Sequence, residues 1–278
     1  MLTDLHIHSY YSDGTMSPKE IVEEAKKRNV EIIAITDHNV LASYEELKEA
    51  AKENGITAIR GVEIDARFED IIVHVLAYNF NDNEKLFSLI NKAKDELLET
   101  SIELIRKMEK DYDSISSQDY ESYEYDRRKG GWKGLHYLFD RGISEKLFDG
   151  VKFYGKYNCG HEYFDYPSVK EVAEAVHEAG GYLVLAHPCN YYKNNTKEEV
   201  LEKLNKFKEI GIDGVECYYP ANSEMMTETC VDFCKENNMI ITAGSDEHGA
   251  FTAFSKGVDY YIGAVNKDSS ELNLKGLL

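Results

Sequence analysis

Six histidines and three carboxylates stand where apolar runs of this chain end or are interrupted. His6 and His8 lie in "DLHIHSYYSDG", with Asp13 later in the same stretch; His38 follows "EIIAIT"; Glu63 sits in "RGVEID"; His74 interrupts "IIVHVLAY"; His187 follows "YLVLA"; Asp246 and His248 follow "MIITAGS". Burying such groups is costly unless they are paired or bound to a metal. A lone histidine at a strand end reads as a hydrogen-bonded core residue, but six in one pattern do not. One zinc-like ion takes about four ligands, so nine nitrogen and oxygen donors point to two or three ions with a carboxylate bridging between them. Mixed imidazole and carboxylate donors suit manganese, iron and zinc. The other three histidines, His136, His161 and His177, read as structural, with His161 able to approach the site if residues 81–164 fold over it.

The elements that must position these groups alternate between two periods. "LTDLHIH" is a strand in which Asp4, His6 and His8 share one face and Leu5 and Ile7 the other. "SPKEIVEEAKKRN" is a helix capped by Ser17, with Pro18 in its first turn and Glu20 completing a capping box. "VEIIAIT", a helix "SYEELKEAAKEN" closed by Gly55, and "ITAIRGVEI" follow; the alternation resumes at "SVKEVAEAVHEAGG" and continues to "MIITAGSDEH". Strict alternation implies parallel strands with right-handed crossovers. About seven main strands, counting 71–78, favour an α/β barrel over an open sheet, and the carboxyl ends of its strands would open on one face. Only "ARFED" separates the strands around Glu63 and His74, which is too short for a parallel crossover and predicts an antiparallel hairpin.

Between residues 81 and about 165 the alternation stops. A long helical pattern covers "NEKLFSLINKAKDELLETSIELIRKMEK", an acidic, tyrosine-rich and weakly structured stretch follows, and "WKGLHYLFDRG" forms another short helix. The expected organisation is a discontinuous barrel, 1–80 and 165–278, with a mainly helical insertion, 81–164, that caps one end of it or serves only in packing or self-association.

With 51 acidic against 32 basic residues the chain carries a formal charge of −19, and no basic stripe suited to long nucleic acid is present. A phosphorylated substrate is therefore expected to be small. The five cysteines, Cys159, Cys189, Cys217, Cys230 and Cys234, form an odd set without CxxC spacing, as reduced thiols in a cytoplasm would. Cys230 and Cys234 share a helical face and read as packing rather than a metal pair. No charged leader with an apolar run precedes the first strand, and no stretch of about 18 apolar residues occurs, so a soluble cytoplasmic protein with no membrane contact is expected.

"DLHIHSYYSDG", "TDH", "GVEI", "AHP" and "GSDEH", in this order, resemble the motifs of the PHP family, named for polymerase and histidinol phosphatase domains. The resemblance covers residues 1 to about 80 and about 165 to 263, and implies a distorted seven-stranded (β/α) barrel with a trinuclear metal site. By position, His6, His8, Asp13, His38, Glu63, His74, His187, Asp246 and His248 match the family's ligands, Glu63 as the bridging carboxylate. The nucleophile would then be metal-bound hydroxide rather than a side chain. Asp4 and Asp37 neighbour ligands and are candidates to orient imidazoles through their other nitrogen, with a hydrogen bond at the start of the strand the equal alternative for Asp4. The placement of the insertion is similar to that in small phosphoesterases acting on nucleotides, including 3′,5′-bisphosphate phosphatases and short 5′-end exonucleases. Arg127, Arg128, Lys129, Lys133 and Lys156 are the basic residues there, of which Arg127, Arg128, Lys133 and Lys156 would meet phosphate, a solvated loop being the alternative, and "GGWKGLHYLF" replaces the arginine-led motif of the bisphosphatases. The expected activity is metal-dependent hydrolysis of a phosphate ester of a small metabolite or nucleotide. Histidinol-phosphate phosphatase is the alternative among enzymes, and a non-catalytic, metal-stabilised regulatory or binding module is the alternative of another class. Tyr10 and Tyr11 have no assigned role.

Overall fold

A computed structural model describes residues 1–251 and 258–278. The strands are β1 Leu2–Ile7, β2 Val30–Ile35, β3 Thr57–Phe68, β4 Ile71–Tyr78, β5 Tyr182–Leu185, β6 Gly214–Tyr218, β7 Ile240–Ala243 and β8 Lys267–Asp268. The helices are α1 Pro18–Lys27, α2 Tyr44–Asn54, α3 Glu84–Met108, α4 Ser117–Ser122, α5 Lys133–Asp140, α6 Val151–Lys156, α7 Val169–Glu178, α8 Cys189–Tyr192, α9 Lys197–Glu209 and α10 Glu224–Glu236. The sheet runs β7-β6-β5-β4-β3-β2-β1-β8. This is the expected α/β barrel, with seven main strands and an eighth of two residues, too short to leave a periodic signal.

The ring closes without a regular ladder between β1 and β7. His8 N–H donates to the Glu247 carbonyl and Asp246 N–H to the His6 carbonyl, both at 2.8 Å, so closure is made by the residues that carry the candidate site. At the opposite end the C-terminal segment fills the gap: β8 pairs antiparallel with β1, and Ile241 and Asn273 exchange backbone bonds. The barrel interior there is apolar, with Leu5, Ile32, Leu76, Tyr78 and Val184 covered by Leu274 and Leu277.

β3 is long because it pairs twice. Residues Thr57 to Arg60 lie parallel to β2, and Gly61 to Phe68 lie antiparallel to β4, the hairpin expected from the short connection. Glu63 thereby passes beyond the end of β2 and reaches the mouth opposite His38. A register shift in β1 between Asp4 and Ile7 breaks the expected alternation. Leu5 joins the interior cluster, whereas Ile7 packs outward with Ile21, Val22 and Leu47 of α1 and α2.

α1 begins as expected: Ser17 Oγ accepts from Glu20 N–H at 3.2 Å, and the Glu20 carboxylate accepts from Ser17 N–H at 2.8 Å. Such caps contribute about 0.5–2 kcal/mol. Within 81–164, Leu86, Ile90 and Ala93 of α3 pack on the barrel, while Leu104, Ile105 and Met108 join a separate small core with Tyr120, Leu135, Tyr137 and Phe153. The acidic, tyrosine-rich stretch is more ordered than expected, because Ser116 caps α4 and Tyr120 buries its ring in that core. No described helix is long and apolar enough to cross a membrane.

Candidate metal centre

The nine side chains singled out above come together at the mouth in three groups: His6, His8, Glu63 and Asp246; His8, Asp13, His38 and His248; and Glu63, His74 and His187. In the first, His6 Nε2 and His8 Nε2 are 3.1 Å apart and lie 3.3 and 3.1 Å from Glu63 Oε2. Asp246 Oδ1 is 3.2 Å from His8 Nε2. In the second, Asp13 Oδ1 faces His8 Nδ1 at 3.5 Å and Asp13 Oδ2 faces His248 Nε2 at 3.3 Å. In the third, Glu63 Oε1 faces His74 Nδ1 at 2.9 Å and His187 Nε2 at 3.0 Å. Glu63 thus divides its two oxygens between two groups, which is the geometry of a bridging carboxylate.

These atoms suit divalent ions better than one another. Glu63 Oε2, His8 Nδ1 and His38 Nδ1 are buried without a hydrogen-bond partner among the described residues, although each has donors or acceptors of the opposite kind close by. Buried polar atoms are normally satisfied, and convergence without hydrogen bonds is the arrangement that a cation completes. The electrostatics agree. Burial lowers the His8 pKa, but the Asp246 and Glu63 carboxylates beside the ring outweigh it and push it up to about 10. Burial likewise opposes the charge on His74, yet Glu63 raises its pKa to about 9. Glu63, which burial would raise, is held well below the ordinary carboxylate range by His38, His6 and His74. The pocket therefore stabilises positive charge, whether carried by protons or by metal ions.

The residues that hold the cluster in place differ from those expected. Asp4 lies before the register shift, and its carboxylate accepts from the backbone N–H groups of Ser245 at 2.9 Å and Gly263 at 2.7 Å instead of an imidazole. Asp37 accepts from Ser9 N–H, Ser9 Oγ and Ser12 Oγ at 2.7–2.8 Å, so it fixes the loop leading to Asp13 instead of orienting a ring. The carboxylate that does meet a ring is Glu216 on β6. Its Oε1 lies 3.0 Å from His6 Nδ1 and its Oε2 accepts from His187 N–H at 2.8 Å, leaving His6 Nε2 to the cluster. The signal for Glu216 was a lone carboxylate inside the apolar "GVECY".

Asp65 was also missed, although it stands two residues after Glu63 on the same strand face. Tyr219 donates to Asp246 Oδ2 at 3.0 Å, and the Tyr191 hydroxyl accepts from His74 N–H at 2.7 Å. His187, Asp246 and Asn39 have left-handed backbones, with φ of 27°, 55° and 53°. Non-glycine residues pay for that conformation, and such strain gathers at functional sites.

The basic residues of the insertion separate. Arg128 is paired with Glu20, at 2.6 Å to Oε1, while the side chain of Arg127 on the same exposed turn has no hydrogen bond or ion pair among the described residues. Gly131, just after that turn, donates its N–H to the Asp13 carbonyl at 2.7 Å, docking the insertion on the cluster. Lys133 donates to the Glu121 carbonyl beside the Tyr120 ring, and Lys156 lies over Phe153 and Tyr157, so both are engaged within the insertion. His136 contacts the Gly130 carbonyl and His177 contacts Asp213, in keeping with structural roles. His161 stacks on Tyr166, close enough to the mouth for Asp65 and His74 to act on its charge. The five cysteines are unpaired and buried, and none joins a group of converging ligand atoms among the described residues.

An α/β barrel whose strand ends converge on imidazoles and carboxylates defines a class of metal-binding hydrolase barrels. The chain belongs to the PHP domain family, whose model matches residues 4–217. A 5′-3′ exoribonuclease of Haemophilus influenzae is 30% identical over 257 residues, covering 88% of this chain and 89% of that protein. A phosphoribosyl 1,2-cyclic phosphate 1,2-diphosphodiesterase of Eggerthella lenta is 25% identical, covering 90% of this chain and 95% of its own. The crystal structure of a candidate metal-dependent phosphoesterase of Bifidobacterium adolescentis superposes with a TM-score of 0.75 at 27% identity, covering 95% and 94% of the two chains.

Proposed function

We propose that this PHP-domain protein is a metal-dependent phosphoesterase that hydrolyses a phosphate ester of a small ribose phosphate or nucleotide, or the terminus of a short oligonucleotide. The observation that carries the reading is the split of Glu63 between two groups of buried imidazoles. In this reading His6, His8, Glu63 and Asp246 hold one ion, Asp13, His38 and His248 a second, and Glu63, His74 and His187 a third, each manganese, iron or zinc. Such ions supply hydroxide near neutral pH and neutralise phosphoryl oxygens.

The chain's own residues do the rest. Glu216 keeps His6 Nε2 turned to the cluster, Asp37 holds the loop that presents Asp13, and Arg127 is the guanidinium left free to meet a phosphate oxygen. The insertion, 81–164, acts as a cap on the barrel formed by 1–80 and 165–278, with Gly131 anchoring it beside Asp13. Both named relatives act on phosphate esters, one of ribose and one of RNA, which favours this substrate class over histidinol phosphate. The net charge of −19 favours short substrates over long polyanions, and five free cysteines suit a cytoplasmic protein.

The test is a substrate panel of nucleoside monophosphates, 3′,5′-bisphosphates, cyclic ribose phosphates, short oligoribonucleotides and histidinol phosphate, run with metal analysis of the same preparation. Turnover of a ribose or nucleotide ester by protein holding two to three transition ions, lost in His8→Ala and Asp246→Ala with the fold retained, is expected. Turnover of histidinol phosphate alone overturns the substrate class, and metal binding with no turnover of any member points to the regulatory module.

A further inference from the structure

Asp65 remains outside the three groups, yet it faces the same cavity. It is 1% exposed, and it is the direct cross-strand partner of His74 in the β3–β4 ladder, a pairing that brings two side chains on one face together. Its Oδ1 lies 3.2 Å from His74 Nε2 and 3.7 Å from His38 Nδ1. The three side chains form a fourth group of converging ligand atoms. Neither Asp65 Oδ1 nor His38 Nδ1 has a hydrogen-bond partner among the described residues, so the short approach to His74 is not satisfied by a proton in line. Separations of 3.2 and 3.7 Å between donors can be spanned by one ion with ligands about 2.1 Å away.

The other half of the carboxylate is fixed in the manner of a ligand. Asn39 Nδ2 donates to Asp65 Oδ2 at 2.6 Å, and Asn39 Oδ1 accepts from Asp65 N–H at 3.1 Å. Asn39 adopts a left-handed backbone, φ 53°, immediately after His38, so one strained residue locks Asp65 beside two imidazoles. Ligating carboxylates are themselves hydrogen-bonded by such outer partners.

We infer that Asp65 is a tenth ligand, forming with His38 and His74 a further binding position for a divalent transition ion. His38 is then shared with the Asp13 and His248 position, and His74 serves two positions, Nδ1 on the Glu63 side and Nε2 on the Asp65 side. Filling both sides of His74 releases that ring's remaining proton to solvent, as metal binding to protonated ligands generally does. Two imidazoles and one carboxylate leave coordination sites open, so this position can hold a phosphoryl oxygen or water at the edge of the cluster.

The inference rests on the metal-centre reading above, and the experiment separates the two. Full-length protein stripped with a chelator is titrated with Zn²⁺, and bound ions are counted at saturation in the wild type, Asp65→Asn and Asp65→Ala. Crystals of the wild type grown with Zn²⁺ are measured at the zinc edge, which needs no variant to fold. The expected result is one ion fewer in both variants, with the others retained, and an anomalous peak within bonding distance of Asp65 Oδ1. A full complement in Asp65→Asn, or peaks at the three other groups with none at Asp65, overturns the tenth ligand and leaves Asp65 as a residue that merely orients His74. A wild type that binds no ion overturns both this inference and the metal-centre reading.

Discussion

Glu216 and His6 are joined at 3.0 Å through Oε1 and Nδ1, deep in the barrel and 210 residues apart in the chain. Because the other Glu216 oxygen accepts from His187 N–H, one carboxylate sets the orientation of one imidazole and the backbone of a second. Glu216→Ala is expected to weaken metal binding by about 10–100-fold, the usual loss for such an outer partner. Competition against a chromophoric chelator measures it, and unchanged affinity would show that packing alone holds His6.

Gly244 lies against this pair. A β-carbon there would stand 2.2 Å from Glu216 Oε1 and 2.3 Å from His6 Cβ. Gly244→Ala must displace one or both, at a cost of about 1–3 kcal/mol for an overpacked core site. The expected outcome is a lower Tm together with weakened metal binding. A variant with both properties intact would mean that the strand end shifts freely, contrary to its role in closing the barrel.

How much of this was legible in the sequence depends on whether a residue's role follows from its own strand or from a neighbouring one. His6, His8 and Glu63 could be placed from local periodicity, and the hairpin from the length of "ARFED". Asp4 could not, because the register shift in β1 is fixed by its pairing with β2 and has no signature in "LTDLHIH". Glu216 was hidden for a related reason: a carboxylate in an apolar strand acquires a partner only when β6 and β1 come together across the barrel. Asp65 carried a readable signal, the two-residue spacing from Glu63, but its match with His74 depends on the hairpin register. The partners of Arg128 and Lys133 likewise arise from the docking of the insertion, which composition does not encode.

Arg127 and Arg128 are adjacent but differently employed, so their variants should separate. Arg127→Ala is expected to raise KM for a phosphorylated substrate by about tenfold or more, with Tm unchanged, as loss of a hydrogen bond to a charged group does. Arg128→Ala removes the pair with Glu20 and should leave KM unchanged while lowering Tm only slightly, since exposed ion pairs contribute little to stability. Steady-state kinetics and thermal melts on the two variants decide the matter. The reverse pattern would assign the phosphate contact to Arg128.

Glu20 gives the pH dependence a sign. The Ser17 N–H, then Arg128 and the Ser17 hydroxyl, lower its pKa from 4.5 to about 2. A carboxylate depressed in the folded state is deprotonated there while the unfolded chain takes up a proton, so its stabilising contribution is complete above pH 4.5 and is lost as pH falls toward 2. Glu20→Gln should therefore melt below the wild type at neutral pH, and the gap should narrow progressively between those two values. Comparing the two proteins at each pH cancels whatever acid does to both alike, loss of metal from the cluster included. A gap that stays constant with pH would mean that the capping hydrogen bonds, and not the charge on Glu20, stabilise the start of α1.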